Sequence, residues 1–532
     1  MTAAGGSSGS GASERQSLAR RAGVVAVGTL ASRILGLGRD MALAALFSRA
    51  VTDAFFVAFT IPNALRQILG EGAVSSSVVP VLSRKIEEGG DTAGRAFFAR
   101  ARGASLIMLL LVTVLGMLCA RPLSELFAGG YHDRPEEFER VVSLTRTVFP
   151  YIFFMGTAAL GMAALNAKRK FAVAAFAPGL LNVAFLLCAF TLPAVLASRG
   201  VDGAQTLAIG ALLGGLLQVV AQWPALRAIG YAGRPIIDFK DLAVRDMGRR
   251  LLPMTLGIGV YYIDLALSRR FLSEMGEGAQ SYFSWAQRLA DFPQGIFVMA
   301  ISTAALPSLA TLAAKGEHAE MKKTFAYGLR LALFVAIPAS VALVILAEPT
   351  VRAMFQRGAF DATATHETAR ALVWQGGSLF TVAVVRQVVP MFYALGDTRT
   401  PVIVSVLDLA VFIAMAIGLK SLWGHVGVSA AVAGSSFAQM VLLLYALRRK
   451  LGSLHGAEIL SSVARTLVAS AIGAVGGRSV VWLYGSGPPV VTGAVALAVF
   501  GGLFALAGWG LRSPELDAIV AAVSKRLRRK PA

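Results

Sequence analysis

The chain has 532 residues, of which 56% are hydrophobic and only 15% are charged, and its mean hydropathy is +0.66. This composition excludes an ordinary soluble domain and predicts an all-α polytopic membrane protein. The formal charge of +20 lies in short basic segments between apolar stretches, where it indicates topology, so we exclude nucleic-acid binding. The two cysteines and five histidines lack ligand spacing, which excludes a disulfide framework and a metal site built on them.

Residues 1–21 are rich in glycine, serine and alanine at their start and predict a flexible tail. About fourteen apolar segments of roughly 20 residues or more follow, which is the length that spans a bilayer as a helix. In chain order they are 22–47, 53–82, 96–119, 141–165, 173–197, 204–226, 250–272, 280–311, 325–347, 366–395, 400–419, 426–447, 462–484 and 490–511. An even number of spans places both termini on one side.

Basic residues are concentrated in alternate connections, and such connections stay in the cytoplasm. The basic segments are 84–102, 168–170, 227–250, 315–323, 448–450 and 525–530. The pattern predicts a multi-pass membrane protein with both termini cytoplasmic.

Spans 1–6 and 7–12 repeat in the same orientation after about 225 residues, as in transporters with parallel repeats. Asp40 and Phe47 correspond to Asp264 and Phe271, for example. The predicted organisation is therefore two six-helix lobes and two C-terminal helices. Its parts are the tail 1–21, the N-lobe 22–226, a cytoplasmic linker 227–249, the C-lobe 250–447, spans 13 and 14 at 462–511, and a basic tail 512–532.

Arginines lie deep inside several predicted spans. Arg33 is roughly 16 Å into the first span, and Arg66 is about 20 Å into the second. Intramembrane charges are costly and usually face a partner or a water-filled cavity. Planar guanidinium groups bind phosphate oxygens in pairs, so the excess of arginine predicts a polyanionic ligand held by Arg33, Arg39, Arg66 and Arg288.

Acidic residues share these segments, which leaves structural salt bridges as an alternative, such as Arg39 with Asp40 or Asp53, and Arg288 with Asp291. We assign cavity, gating or coupling roles to Asp40, Asp53, Glu71, Asp264, Asp291, Arg386 and Asp408. The expected bends are at Gly36, Gly38, Pro62, Gly70 and Gly72, where glycine or proline interrupts a helix.

Two N-terminal stretches carry a family resemblance: Ser32-Arg-Ile-Leu-Gly-Leu-Gly-Arg-Asp40, and Thr52-Asp-Ala-Phe-Phe-Val-Ala-Phe-Thr-Ile-Pro-Asn-Ala-Leu-Arg66 with its continuation to Gly72. Further matches are Gln287-Arg-Leu-Ala-Asp-Phe-Pro293 and Phe392-Tyr-Ala-Leu-Gly-Asp-Thr-Arg-Thr-Pro401. Over roughly residues 20–450 the sequence resembles the MurJ (MviN) lipid II flippases of the multidrug/oligosaccharidyl-lipid/polysaccharide exporter superfamily.

The resemblance implies a transporter, with no catalytic residues, that moves lipid II by alternating access. It implies a basic central cavity in which Arg33, Arg39, Arg66 and Arg288 bind the diphosphate and sugar. Some members of the family hold sodium near positions that match Asp264 and Asp408, although Val404 departs from the polar residue expected there. The expected partners are lipid II, membrane lipids and proteins of cell-wall synthesis, and we expect a monomer.

No nucleotide-binding phosphate loop is present in the sequence, so we expect no cofactor and leave sodium, protons or the membrane potential as the energy source. Another polyprenyl-diphosphate-linked oligosaccharide would need the same arginines and is the main alternative substrate. A membrane glycosyltransferase is a weaker alternative. Its carboxylates would have to be Asp133, Glu136, Glu137 and Glu139, which lie beside Arg134 and Arg140 and predict a solvated helix.

Overall fold

The computed structural model describes residues 28, 30–68, 74–257, 259–295 and 299–528. Within these ranges every regular element is helical. The α-helices are α1 (30–46), α2 (Arg49–Ile68), α3 (Val74–Leu118), α4 (Ala120–Ala128), α5 (Pro135–Val148), α6 (Tyr151–Ala167), α7 (Phe171–Phe176), α8 (Gly179–Ala197), α9 (Gln205–Ala228), α10 (Leu242–Gly257), α11 (Gly259–Ser273), α12 (Ala279–Pro293), α13 (Met299–Ala314), α14 (His318–Ile345), α15 (Ala347–Phe355), α16 (Ala362–Gly377), α17 (Leu379–Ala394), α18 (Arg399–Trp423), α19 (His425–Leu451), α20 (Gly456–Tyr484), α21 (Pro489–Gly510) and α22 (Pro514–Arg528).

Ten helical segments in the described part of the chain are long and apolar enough to cross a membrane. They are Ser77–Leu118, Pro135–Ala167, Gly179–Ala197, Gln205–Ala228, His318–Ile345, Ala362–Ala394, Arg399–Trp423, His425–Leu451, Gly456–Tyr484 and Pro489–Gly510. The prediction of an all-α polytopic membrane protein is confirmed. The number fourteen stays a prediction, because each of the other four predicted spans includes residues outside the described ranges.

The chain divides into two compact units, Met1–Ala266 and Leu267–Ala532. In the first, α3, α6 and α9 pack around buried residues that include Leu82, Phe98 and Leu160. In the second, α14 and α17 enclose Phe325, Val388 and Phe392. The predicted lobe limits at 22–226 and 250–447 stay predictions.

The basic stretch 84–102 is not an extended loop. It belongs to α3, whose two halves meet at a turn formed by Gly89 and Gly90. Gly90 has φ +67°, a left-handed conformation that glycine adopts without steric cost. Only two residues therefore separate the helices, and arginines on both sides of the turn lie on helical surface.

The predicted linker 227–249 is packed against α3. Arg100 pairs with Asp238 at 3.5 Å and with Asp241 at 3.3 Å. Tyr231 is 2% exposed beneath this segment, and burial raises the pKa of its hydroxyl to about 12. From Leu242 the chain is helical again, because the Asp241 carboxylate accepts hydrogen bonds from the first free N–H groups of α10.

Small residues bring α20 and α21 close together. A Cβ at Gly473 would lie 2.8 Å from the carbonyl oxygen of Phe500, and one at Gly477 would lie 3.1 Å from that of Ala496. Glycines four apart on one helix face are a common basis for close packing in membranes. Spans 13 and 14 are thus a tight helix pair, whose α20 also packs against α14.

Candidate functional site

Arg39 on α1 is held by three hydrogen bonds to two side chains in the first unit. Its Nε and Nη2 donate hydrogen bonds to Asp40 Oδ1 at 3.0 and 2.6 Å, and its Nη1 donates to Asn182 Oδ1 at 3.0 Å. Asp40 is 6% exposed, so the ion pair is sheltered from solvent. The salt bridge considered as the alternative for Arg39 is therefore present, formed with Asp40.

Asn182 and Phe185 on α8 are functional candidates that the sequence analysis missed. Besides accepting from Arg39, Asn182 donates from Nδ2 to the backbone oxygen of Ser32 at 2.9 Å. The Arg39 guanidinium lies 5.3 Å from the centroid of the Phe185 ring, which is a cation–π distance. An amide in the middle of the apolar segment 173–197 was the available signal for Asn182.

Arg33 is half-buried on the same helix. It makes no hydrogen bond or ion pair with the part of the chain that the structure describes. Helix α1 continues through Gly36 and Gly38 without interruption, so the predicted break at these glycines is wrong for this conformation. In a continuous helix a spacing of six residues separates Arg33 from Arg39 by about 120° around the axis. The two arginines consequently differ in both direction and environment.

Asp53 and Pro62 lie on α2, and both are buried. Phe55 and Phe59 of the same helix pack edge-on against Phe185, with centroid distances of 5.8 and 6.1 Å. An aromatic cluster therefore joins α2 to the helix that carries Asn182. The backbone of Arg66 is in α2, whereas its side chain and the whole of Gly70, Glu71 and Gly72 lie outside the described residues.

In the second unit, Arg288 and Asp291 are exposed on α12, three residues apart. Arg386 on α17 is part-buried and directs its Nη2 at Gln294 Oε1, at 3.4 Å. Gln294 directly follows α12. The structure thus places Arg386 beside the end of the helix that carries Arg288.

A further arginine, Arg269, was missed. It is 6% exposed, and its Nη1 donates to Gln280 Oε1 at 3.0 Å and to Ser284 Oγ at 2.7 Å. Gln280 Nε2 donates back to the Arg269 carbonyl at 2.7 Å. This exchange fixes α11 to α12. The sequence feature that could have identified Arg269 is the pair of arginines at the end of an apolar segment.

The two carboxylates considered for sodium are half-buried, Asp264 on α11 of the first unit and Asp408 on α18 of the second. Val404, one turn before Asp408, is 5% exposed and offers no oxygen from its side chain. Among the residues that the structure describes, no group of three His, Cys, Asp or Glu side chains could hold a metal. Sodium binding stays a prediction.

Asp397, in the motif Phe392–Pro401 that resembles the family, connects two helices. Its carboxylate accepts hydrogen bonds from the N–H and Oγ of Thr400 at 3.0 and 2.8 Å, and from Lys450 Nζ at 2.7 Å. The Lys450 ammonium group, followed by the Thr400 N–H, lowers the pKa of Asp397 well below its ordinary value. The motif therefore fastens the start of α18 to the end of α19.

The acidic cluster near 133–139 lies at the start of α5 and is engaged with arginines. Glu137 pairs with Arg134 at 2.8 Å, and Glu139 pairs with Arg121. This confirms the predicted solvated helix. Two of the four candidate carboxylates are therefore held in ion pairs at the start of this helix.

Two apolar cavities lie along α20. One of about 350 Å³ lies between α14, α17 and α20, lined by residues such as Val341, Phe380, Val463 and Leu467. A second, of about 510 Å³, adjoins it at Ile345 and reaches Arg478 and Trp482. Together they form a largely apolar groove beside the penultimate predicted span.

A family model described as lipid II flippase MurJ matches residues 43–492. The chain is 35% identical over 442 residues to the probable lipid II flippase MurJ of Bdellovibrio bacteriovorus, covering 82% of this chain and 83% of that one. It is 32% identical over 430 residues to the lipid II flippase MurJ of Burkholderia cenocepacia, covering 79% and 82%.

Solved structures share the fold. A lipid II flippase MurJ in an inward closed conformation aligns with TM-score 0.69 at 23% identity, covering 90% of this chain and 98% of that chain. An inward-facing transporter of the MATE family, in the MOP superfamily, aligns with TM-score 0.64 at 16% identity, covering 81% and 98%. At these identities the likeness concerns the fold alone.

Proposed function

The chain belongs to the MurJ family of lipid II flippases, and from that membership we propose that it moves lipid II from the cytoplasmic to the outer leaflet of the bacterial inner membrane. Lipid II carries a diphosphate between its sugars and its polyprenyl tail. A flippase for it must bind that anion while the tail stays in lipid. The proposed transport proceeds by alternating access and involves no catalytic residue.

The environment of Arg33 carries this proposal. Its guanidinium group is half-buried in an apolar helix and makes no hydrogen bond or ion pair with any residue that the structure describes. Burying a cation without a partner is costly, so such residues usually mark a ligand or ion pathway. A diphosphate would supply charge-assisted, two-point hydrogen bonds to this group. We assign Arg33 as the principal phosphate-binding residue.

Arg39 has a second role in the proposal. Because Asp40 and Asn182 already occupy its donors, it positions α1 against α8 and contributes to the positive potential of the site. Arg66 and Arg288 are proposed to bind the sugar and diphosphate together with Arg33. Asp53 and Asp291 remain candidates for gating.

We propose that the apolar groove along α20 holds part of the polyprenyl tail. Its lining offers only hydrocarbon over most of its length. Each CH₂ group moved into such an environment contributes roughly 0.8 kcal/mol relative to water. The alternative is that α20 and α21 serve only to pack against the other helices of the second unit, and it predicts no sensitivity to tail length.

The energy source is proposed to be an ion gradient or the membrane potential. Moving one charge through the potential contributes about 2.3 kcal/mol per 100 mV, which suffices to bias a transport cycle. Sodium coupling through Asp264 and Asp408 is testable by exchanging sodium for choline at constant potential.

The decisive experiment depletes the protein in its host and adds an enzyme that cleaves lipid II from outside the cell. Wild type should restore cleavage, while Arg33→Ala should not. Arg121→Ala, which removes an exposed arginine paired with Glu139, is the matched control and should restore it. Unchanged cleavage after depletion, in a host without a second flippase, would reject the lipid II assignment.

The alternative substrate, another polyprenyl-diphosphate-linked oligosaccharide, is separated by reconstitution. Purified protein in vesicles should flip labelled lipid II, and an excess of the other glycolipid should not compete. Equal competition would show that the protein reads the diphosphate and tail without selecting the sugar.

A further inference from the structure

Large apolar side chains are exposed in the segment 236–242 that connects α9 to α10. The exposed fractions are 47% for Ile236, 64% for Ile237, 47% for Phe239 and 81% for Leu242. This segment lies outside every candidate span, so ordinary lipid contact along a spanning helix does not explain it. A concentrated apolar patch on such a connection marks an interaction surface.

The segment is held in a defined position on the first unit. The N–H of Ile236 donates to the carbonyl oxygen of Ala99 at 3.0 Å. A Cβ at Gly103 would lie 2.1 Å from the Ile236 carbonyl oxygen, so only glycine permits this approach. The apolar side chains are therefore presented outward by a backbone that is fixed to α3.

The carboxylates of the segment are turned toward the protein. Asp238 and Asp241 pair with Arg100 and also accept backbone hydrogen bonds from Lys240 and Ala243, respectively. Asp246, on the next turn of α10, pairs with Arg84 at 3.2 Å. The exposed charges around the patch are basic: Arg234, Lys240, Arg245 and Arg249. The outward surface thus combines apolar side chains with positive charge.

The attachment point lies at the edge of the membrane. Residues 103–118 of α3 contain no charged side chain, and sixteen helical residues extend for roughly 24 Å, most of a hydrocarbon core. Ala99 and Gly103 are at the basic end of this stretch. The Arg102 guanidinium there lies 5.9 Å from the ring centroid of Trp223, and tryptophan is enriched at membrane–water interfaces.

We propose that segment 236–242 is an interfacial anchor. It inserts Ile237, Phe239 and Leu242 among the headgroups of the leaflet on the basic, predicted cytoplasmic side, and its arginines and lysine bind acidic phospholipids there. A combination of apolar and basic side chains is the chemistry that recognises an anionic lipid surface. The anchor would hold the connection between α9 and α10 on the membrane, independently of which glycolipid is transported.

The test places a fluorescent label on the full-length protein. Cys119 and Cys188 are replaced by Ala, and Phe239→Cys is labelled with bimane and reconstituted in phosphatidylcholine vesicles with or without phosphatidylglycerol. Quenching by a lipid nitroxide near the headgroup should exceed quenching by aqueous iodide by about threefold or more, as for side chains 5–10 Å into the interface. Phosphatidylglycerol should increase the lipid quenching, and adding Lys240→Glu and Arg245→Glu should remove that increase.

Glu87→Cys, labelled in the same background, is the matched control, since Glu87 is exposed near the turn of α3. It should be quenched mainly by iodide. Equal access of iodide to positions 87 and 239 would overturn the anchor. Lipid quenching that does not change with phosphatidylglycerol would overturn the acidic-lipid assignment. Protection of the label at position 239 from iodide in native membranes but not in vesicles would show that a protein covers the patch instead.

Discussion

Asn182 Oδ1 accepts a hydrogen bond from Arg39 Nη1 at 3.0 Å, so an amide on α8 orients a guanidinium group on α1. The same amide donates to the backbone of α1 at Ser32. Arg39 is consequently a fixed part of the helix packing, while Arg33 keeps its donors available. Two arginines six residues apart in one motif therefore serve different purposes.

The first prediction separates stability from transport at these two positions. Arg39→Ala removes the ion pair with Asp40 and the hydrogen bond to Asn182 and should lower the free energy of unfolding by roughly 1.5–3 kcal/mol. Arg33→Ala removes a half-buried cation with no described partner and should leave the free energy of unfolding unchanged or raise it, while abolishing transport. Thermal unfolding of purified protein and rescue of depleted cells measure the two effects.

A double variant controls this comparison. Arg39→Met with Asp40→Leu replaces the ion pair by apolar groups and should recover most of the lost stability. If Arg33→Ala proved as destabilising as Arg39→Ala, Arg33 would be a structural residue and its assignment to the phosphate would fall.

The second prediction concerns the contact between Gly103 and the linker. Gly103→Ala puts a Cβ 2.1 Å from the Ile236 carbonyl, so the linker must detach or shift. Trypsin should then cleave after Lys240 and Arg245 faster than in wild type. Gly248→Ala, on α10 with open space around its Cβ position, is the control and should leave the cleavage rate unchanged. Equal rates in all three proteins would show that the contact does not hold the linker.

The third prediction is a pH dependence that centres on Asp397. Because its pKa is lowered by Lys450 and Thr400 in the folded protein, the carboxylate stabilises the fold above its unfolded pKa of about 3.9. That stabilisation is lost as pH falls through the lower, folded pKa. Asp397→Asn should reduce Tm by a constant amount between about pH 5 and 8 and by less in stronger acid. A difference from wild type that grows with acidification would contradict the sign.

Much of the fold follows from the sequence, because apolar segments of about 20 residues have few alternatives to membrane helices. Ten predicted spans have counterparts among the candidate spans of the structure. The helical form of the basic stretch 84–102 was not predicted, since Gly89 and Gly90 form a two-residue turn that hydropathy cannot distinguish from a longer loop. Helix-forming residues on both sides of the turn decided its length.

The sequence predicted several residues of the site but not which of them contact one another. Arg33 and Arg39 stand out as charges in an apolar helix, whereas the partner of Arg39 on α8 depends on tertiary packing over 143 residues of sequence. The expected break at Gly36 and Gly38 failed because hydrogen bonds of a helix in an apolar environment are retained even through glycine. A Cβ at Gly36 would lie 3.5 Å from Asn182 Nδ2, an ordinary van der Waals distance, so the packing of α1 on α8 leaves room for a methyl group there.

The last prediction tests the groove along α20. Leu467 lines the cavity of about 350 Å³, and Leu467→Trp should fill part of it. Displacing two or three CH₂ groups of a bound tail would weaken binding by roughly 1.6–2.4 kcal/mol, or about fifteenfold to fiftyfold. Transport of lipid II with its natural long tail should fall accordingly in reconstituted vesicles, while an analogue with a tail too short to reach the groove should be unaffected. Leu506→Trp, on the exposed surface of α21 away from the cavity lining, is the control and should transport both substrates normally. An equal loss for both tail lengths would mean that α20 supports the protein without holding the tail.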